Sequence, residues 1–86
     1  MKITVTQEDI DNGEPGSRSC PIANAINRQY TFKKRHPNAI VGLSEVGIDI
    51  CNSRVWFNLS KPAQKFIKDF DNGLIIKPST FIITKK

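Results

Sequence analysis

Few residues in this chain are equipped to do chemistry. Cys20 follows the loop Gly13-Glu14-Pro15-Gly16-Ser17-Arg18-Ser19 and precedes Pro21. Proline is tolerated in the first helical turn, so the pattern predicts a helix starting here, with Ser19 as its N-cap. A thiol among first-turn amides is expected to have a lowered pKa and a populated thiolate. A cysteine nucleophile also needs a base. The single histidine, His36, stands beyond that helix, and no third member or oxyanion element can be named. Cys20 therefore reads as a small apolar residue near a helix start, and the chain as a non-enzyme. Gly16, Ser17, Arg18 and Ser19 make the same loop an anion-binding candidate, because free amides, hydroxyls and a guanidinium suit a phosphate. The Gly-Lys-Ser/Thr of a Walker A loop is absent. The competing reading is an ordinary capped helix after a loop.

Metal and cofactor chemistry find no pattern. Cys20, His36 and Cys51 lack the paired spacing of a structural zinc site. Glu8, Asp9, Asp11 and Glu14 crowd one loop without completing a calcium-loop pattern. No metal and no cofactor is expected.

The remaining candidates are basic and aromatic. Arg28-Gln29-Tyr30-Thr31-Phe32-Lys33-Lys34-Arg35 interleaves cations with rings, a composition that can hold phosphates while a ring stacks on a base. Lys61, Lys65 and Lys68 repeat along one flank of a second helix. Trp56 falls opposite the apolar positions of its strand, where an indole can anchor a protein partner. The candidate macromolecule-binding set is thus Arg28, Lys33, Lys34, Arg35, Trp56, Lys61, Lys65 and Lys68. The competing reading is a solvated surface with rings that belong to the core.

These residues need a frame, and 86 residues permit one small domain, 1–86. Hydrophobic residues are 38% and charged residues 24%, which fits a folded domain and not a disordered tail. No apolar run reaches membrane-span length, and the start lacks the pattern of a secretory signal. Two thiols in a reducing compartment are therefore expected. The net charge of +5 is unevenly spread. Residues 1–16 carry −3, residues 17–37 carry +5, residues 38–58 carry −1 and residues 59–86 carry +4.

Alternation of Ile3 and Val5 predicts a strand over 2–6, followed by a long loop over 8–19. Helix spacing of Ile22, Ala25, Ile26 and Tyr30 predicts a helix over about 20–31. Residues 39–43, 46–51 and 55–59 predict an antiparallel meander, with a turn at 52–54. Ser60, Pro62, the stripe Ala63/Phe66/Ile67/Phe70 and the stop Asn72-Gly73 predict a second helix. Residues 80–84 predict the last strand. The expected fold is α+β, in the order β-α-β-β-β-α-β, a mostly antiparallel sheet with two helices on one face. Exposed strand edges would let a monomer become a homodimer by sheet extension.

Ile3-Thr4-Val5 with Asp9-Ile10 and Gly13, then Cys20-Pro21-Ile22-Ala23-Asn24-Ala25-Ile26, then Phe66-Ile67-Lys68-Asp69-Phe70-Asp71-Asn72-Gly73 with Lys77-Pro78-Ser79-Thr80-Phe81 cover about half the chain. In these stretches it resembles a loose group of small accessory proteins of bacteriophages and prophages. In that group an aromatic often follows the last proline directly, whereas here Ser79 and Thr80 intervene. The resemblance implies a protein working in the bacterial cytoplasm. It implies binding to a host protein or nucleoprotein complex, and inhibition of a defence system such as CRISPR. Direct nucleic-acid binding through the basic residues is the alternative, a phosphate- or nucleotide-binding protein the third reading, and no membrane partner is expected.

Overall fold

Period-two alternation decides which side of the sheet is buried. Ile3 and Val5, Val46 and Ile48, Phe57 and Leu59, and Phe81 and Ile83 are all buried, while most of their strand neighbours are not. The computed structural model describes residues 1–16, 18–30, 39–50 and 53–86. In chain order its elements are β1 (Lys2–Val5), α1 (Gln7–Asp11), α2 (Pro21–Gln29), β2 (Ala39–Val41), β3 (Glu45–Ile50), β4 (Ser53–Leu59), α3 (Lys61–Asp71) and β5 (Ser79–Lys85). The five strands form one curled antiparallel sheet in the order β1-β5-β4-β3-β2. This is the α+β fold the sequence predicts, with a third, short helix added.

Both longer helices pack on the inner face. α2 buries Ile22, Ala23, Ala25 and Ile26, and α3 buries Ala63, Phe66 and Ile67, all in one cluster with the inward strand residues. The Phe66 ring meets Phe81 of β5 edge-on, with centroids 5.2 Å apart.

α2 lies against β1 and β2, the two edge strands. Its polar side chains close the edges they meet. Gln29 Oε1 accepts from the Thr4 amide at 2.6 Å, Arg28 Nη2 donates to the Thr4 carbonyl at 2.9 Å, and the Tyr30 hydroxyl donates to the Lys2 carbonyl at 2.6 Å. Asn27 Oδ1 accepts from the Ala39 amide of β2 at 3.2 Å. Side-chain amides and hydroxyls thus satisfy backbone groups that an open edge would leave for another strand. Backbone groups of Lys2 and Thr4 that sheet extension at the β1 edge would use are taken up this way.

Several boundaries differ from the sequence reading. The loop expected over 8–19 begins with α1. Thr6 is its N-cap: Thr6 Oγ1 accepts from the Asp9 amide at 3.3 Å, and Asp9 Oδ2 accepts from the Thr6 amide at 2.9 Å. Cys20, not Ser19, is the N-cap of α2, because Pro21 takes the first helical position and holds its predecessor extended. The Ser19 carbonyl instead accepts from the Glu14 amide and closes the loop. α2 also ends sooner, at Gln29, where Tyr30 turns extended to reach β1. The run 39–43 is a strand only to Val41. The Gly42 amide donates to the Glu45 carbonyl, which makes Leu43-Ser44 the hairpin loop. Ser53 and Arg54, expected in a turn, already pair with Ile50 and Asp49.

α3 forms as the sequence predicts. Ser60 Oγ accepts from the Ala63 amide at 3.4 Å. At the other end Gly73 takes φ +75°, so its amide reaches the Phe70 carbonyl and the Leu74 amide the Asp69 carbonyl, the paired bonds of a Schellman stop. No described helix is long and apolar enough to cross a membrane.

Candidate functional site: the outer face of the sheet

None of the three described helices lies on the outer face of the sheet. Outward positions there include Arg54, Trp56 and Asn58 of β4, Glu45, Gly47 and Asp49 of β3, Ile40 of β2, and Thr80, Ile82 and Thr84 of β5. Trp56 is the largest of them and is 39% exposed. Its position follows from the pleat: Phe57 and Leu59 point inward, so Trp56 and Asn58 point out.

Gly47 sits opposite Trp56 in the register. A Cβ on Gly47 would lie 3.1 Å from two atoms of the indole and 3.1 Å from Arg54 Cδ. The ring and the arginine stem therefore rest on the bare backbone of β3, and Gly47 itself is buried beneath them. Two ion pairs bracket the indole. On one side Arg54 Nε donates to Asp49 Oδ1 at 2.8 Å and Nη2 to Oδ2 at 3.3 Å. The Asp49 carboxylate, bonded first and attracted second, holds the Arg54 pKa above its ordinary value. On the other side Lys86 Nζ reaches Glu45 Oε2, while the Lys86 amide donates to the Trp56 carbonyl at 3.0 Å. Glu45, Arg54, Val55, Trp56, Lys85 and Lys86 line an open trough at this point.

The other candidates fall elsewhere. Lys33, Lys34 and Arg35 lie outside the described residues, as do Ser17, His36 and Cys51. Lys61, Lys65 and Lys68 are exposed on α3, and Lys65 pairs with Asp69 one turn on, at 2.7 Å. Arg28, expected to face water in a basic patch, is tied inward. Its Nε and Nη2 donate to Asp9 at 3.2 and 3.0 Å, and Nη2 also to the Thr4 carbonyl. Asp9 is the buried carboxylate of this cluster, 5% exposed. Burial alone would raise its pKa. The bonds from Arg28 and Thr6, and then the Arg28 charge, outweigh burial and hold the carboxyl below its ordinary 3.8. No single-residue signal in the sequence marks this cluster, since its members are 19 residues apart.

Gly16, Arg18 and Ser19 of the loop before α2 are exposed, and Gly16 takes φ +140°. Behind them Cys20 is 3% exposed, and its thiol departs from the sequence expectation. Burial pushes its pKa up from 9.0, the amides of Ala23 and Ile22 pull it down by less, and the charge of Asp71 adds to the rise. The first-turn amides thus face a buried neutral sulfur rather than a thiolate. Among the described residues no group of three or more His, Cys, Asp or Glu side chains could hold a metal ion.

Fold and site together define a small α+β domain with a single curled sheet, filled on its inner face and, among the described residues, with no helix on its outer one. Compared with protein-family models, curated proteins and solved structures, the chain matches none.

Proposed function

We propose that this chain is a non-enzymatic binding protein whose contact surface is the outer face of its sheet. In the setting that the phage resemblance implies, it acts inside the bacterial cell. Its partner there is a protein or nucleoprotein of a defence system such as CRISPR, which it inhibits by covering a working surface. The observation that carries the reading is Trp56: a half-exposed indole on a helix-free sheet face, seated on Gly47 and ringed by two ion pairs. A rigid aromatic centre with a polar rim is the usual layout of a binding hot spot. Cys20, the nucleophile candidate, supports binding over catalysis, being buried with its pKa pushed up.

A protein surface is favoured over bare nucleic acid as the contact. Arg54 and Lys86, the cations beside the indole, each have a carboxylate partner, so the face around Trp56 offers phosphates little net field. The test is affinity capture from bacterial lysate, with and without nuclease. Wild type is compared with Trp56→Ala and with a Lys33/Lys34/Arg35→Ala triple variant. A discrete protein that survives nuclease, is lost with Trp56→Ala and rebinds when purified is the expected result. Recovery of only nuclease-sensitive material, lost in the triple variant and kept by Trp56→Ala, overturns the reading in favour of nucleic acid.

A further inference from the structure

The charges on the outer face are sorted by strand. The outward acids, Glu45 and Asp49, both stand on β3. The outward bases facing them are Arg54 on β4 and Lys86, just past the end of β5. The face therefore has an acidic side and a basic side, with the Trp56 indole lying across the seam between β4 and β3.

A surface of this kind is complementary to itself. A two-fold axis along the seam, parallel to the strands, lays β3 of one copy over β4 of the other and keeps residues at the same height along the strands. Asp49 and Arg54 are directly opposite in the register. Each Arg54 then comes to face the Asp49 carboxylate of the second copy, and each Asp49 faces the second copy's Arg54. The two Trp56 rings meet at the axis, over the two Gly47 backbones. From these placements we infer that the outer face is an isologous interface, and that two copies of this chain stack sheet to sheet on it. The intramolecular pairs Arg54–Asp49 and Lys86–Glu45 become shared pairs, so no charge is stranded on closing.

The size of the face sets the strength. Under this axis β2 to β5 of one copy overlap those of the other and β1 is left uncovered; their 3, 6, 7 and 7 residues, at about 4.8 Å between strands and about 3.4 Å per residue, give a footprint of roughly 380 Å² per copy. A standard interface takes about 800 Å² per partner, so this dimer is weak and reversible. It uses the same indole as the partner contact proposed above and goes beyond that reading: dimer and partner compete, and free chain is the binding-competent form.

The experiment is sedimentation velocity of the full chain from roughly 5 to 500 µM, a range set for a weak interface. Wild type is compared with Trp56→Ala, Asp49→Arg and Arg54→Asp, with circular dichroism confirming the fold of each. Wild type is expected to shift from monomer to dimer across the range. Trp56→Ala should weaken dimerisation at least about tenfold. Asp49→Arg and Arg54→Asp should each stay monomeric, since each sets like charges face to face. Mixed one to one, these two variants should form a dimer, because the two cations of one copy then face the two carboxylates of the other. If a variant of this set fails to fold, Glu45→Lys mixed with Lys86→Glu applies the same logic at the other ion pair. Wild type that stays monomeric throughout, or a dimer indifferent to Trp56→Ala and to the charge reversals, overturns the inference. A monomeric wild type that still captures a partner through Trp56 would leave the proposed function standing without the dimer.

Discussion

Removing the Asp9 carboxylate should weaken the fold by a predictable amount. Asp9→Ala deletes three acceptor contacts: one from the Thr6 amide at 2.9 Å and two from Arg28 at 3.0 and 3.2 Å. Loss of the bond that Asp9 accepts from the Thr6 amide, the reciprocal half of the capping box, costs about 1 kcal/mol. A charge-assisted bond costs about 1.5–3 kcal/mol when fully buried. The Arg28 side chain is 45% exposed, so water rescues much of it, and roughly 1 kcal/mol is a fair charge for that contact. The sum is about 2 kcal/mol, which for a domain of this size lowers Tm by about 8–16 °C. The assay is urea unfolding at pH 7 followed by fluorescence of Trp56, the one tryptophan in the chain. Arg28→Ala should cost about 1–1.5 kcal/mol, and the double variant should show a coupling of about 1 kcal/mol. The sign of the pH dependence is fixed by the direction of the shift. A carboxyl whose folded pKa is depressed contributes its full stability above the unfolded value near 3.8, and loses it as pH falls through the lower folded value. Wild type should therefore lose its advantage over Asp9→Asn as pH drops below about 4. A cost under about 0.5 kcal/mol for Asp9→Ala, or no coupling to Arg28, would refute the cluster as a tie between β1, α1 and α2.

Two further predictions concern single positions. Cys20, buried with a raised thiol pKa, should alkylate at least about a hundredfold more slowly in the native protein than in urea at pH 8, read at that peptide by mass spectrometry; equal rates would mean the thiol is open to solvent. Gly47→Ala should push the indole and the Arg54 stem off β3, costing about 1 kcal/mol and red-shifting Trp56 emission; unchanged emission would mean the ring does not rest there.

What the sequence makes legible here is what is encoded locally. α3 carries its cap, its proline, its apolar stripe and its glycine stop within fourteen consecutive residues, and it forms as read. Trp56 is placed outward by alternation alone, a period-two argument that needs no partner strand. α1 is different. Its turn-rich composition points to loop, and what holds it as helix is a capping box reinforced by Arg28, 19 residues downstream. For the same reason Arg28 reads as a free cation in the sequence and proves to be a tether in the fold. The thiol of Cys20 follows suit. Helix position lowers a thiol pKa, but burial raises this one by more, and burial depth is a tertiary property.

The edges of the sheet bear on how this domain can meet another molecule. A small antiparallel sheet has two routes to a neighbour, along an edge or across a face. Arg28, Gln29 and Tyr30 take up backbone groups of Lys2 and Thr4, so β1 does not offer a full ladder to an incoming strand. β2 is three residues long, and its Ala39 amide is already bonded to Asn27. Short or capped edges of this kind resist strand addition. The outer face has the opposite character: no described helix rests on it, a glycine seats its tryptophan, and its charges are paired and sorted by strand. Contact across that face is the route the fold leaves open. The foreign partner and the second copy proposed above would therefore be rivals for one surface, and the charge-swapped mixture would separate them.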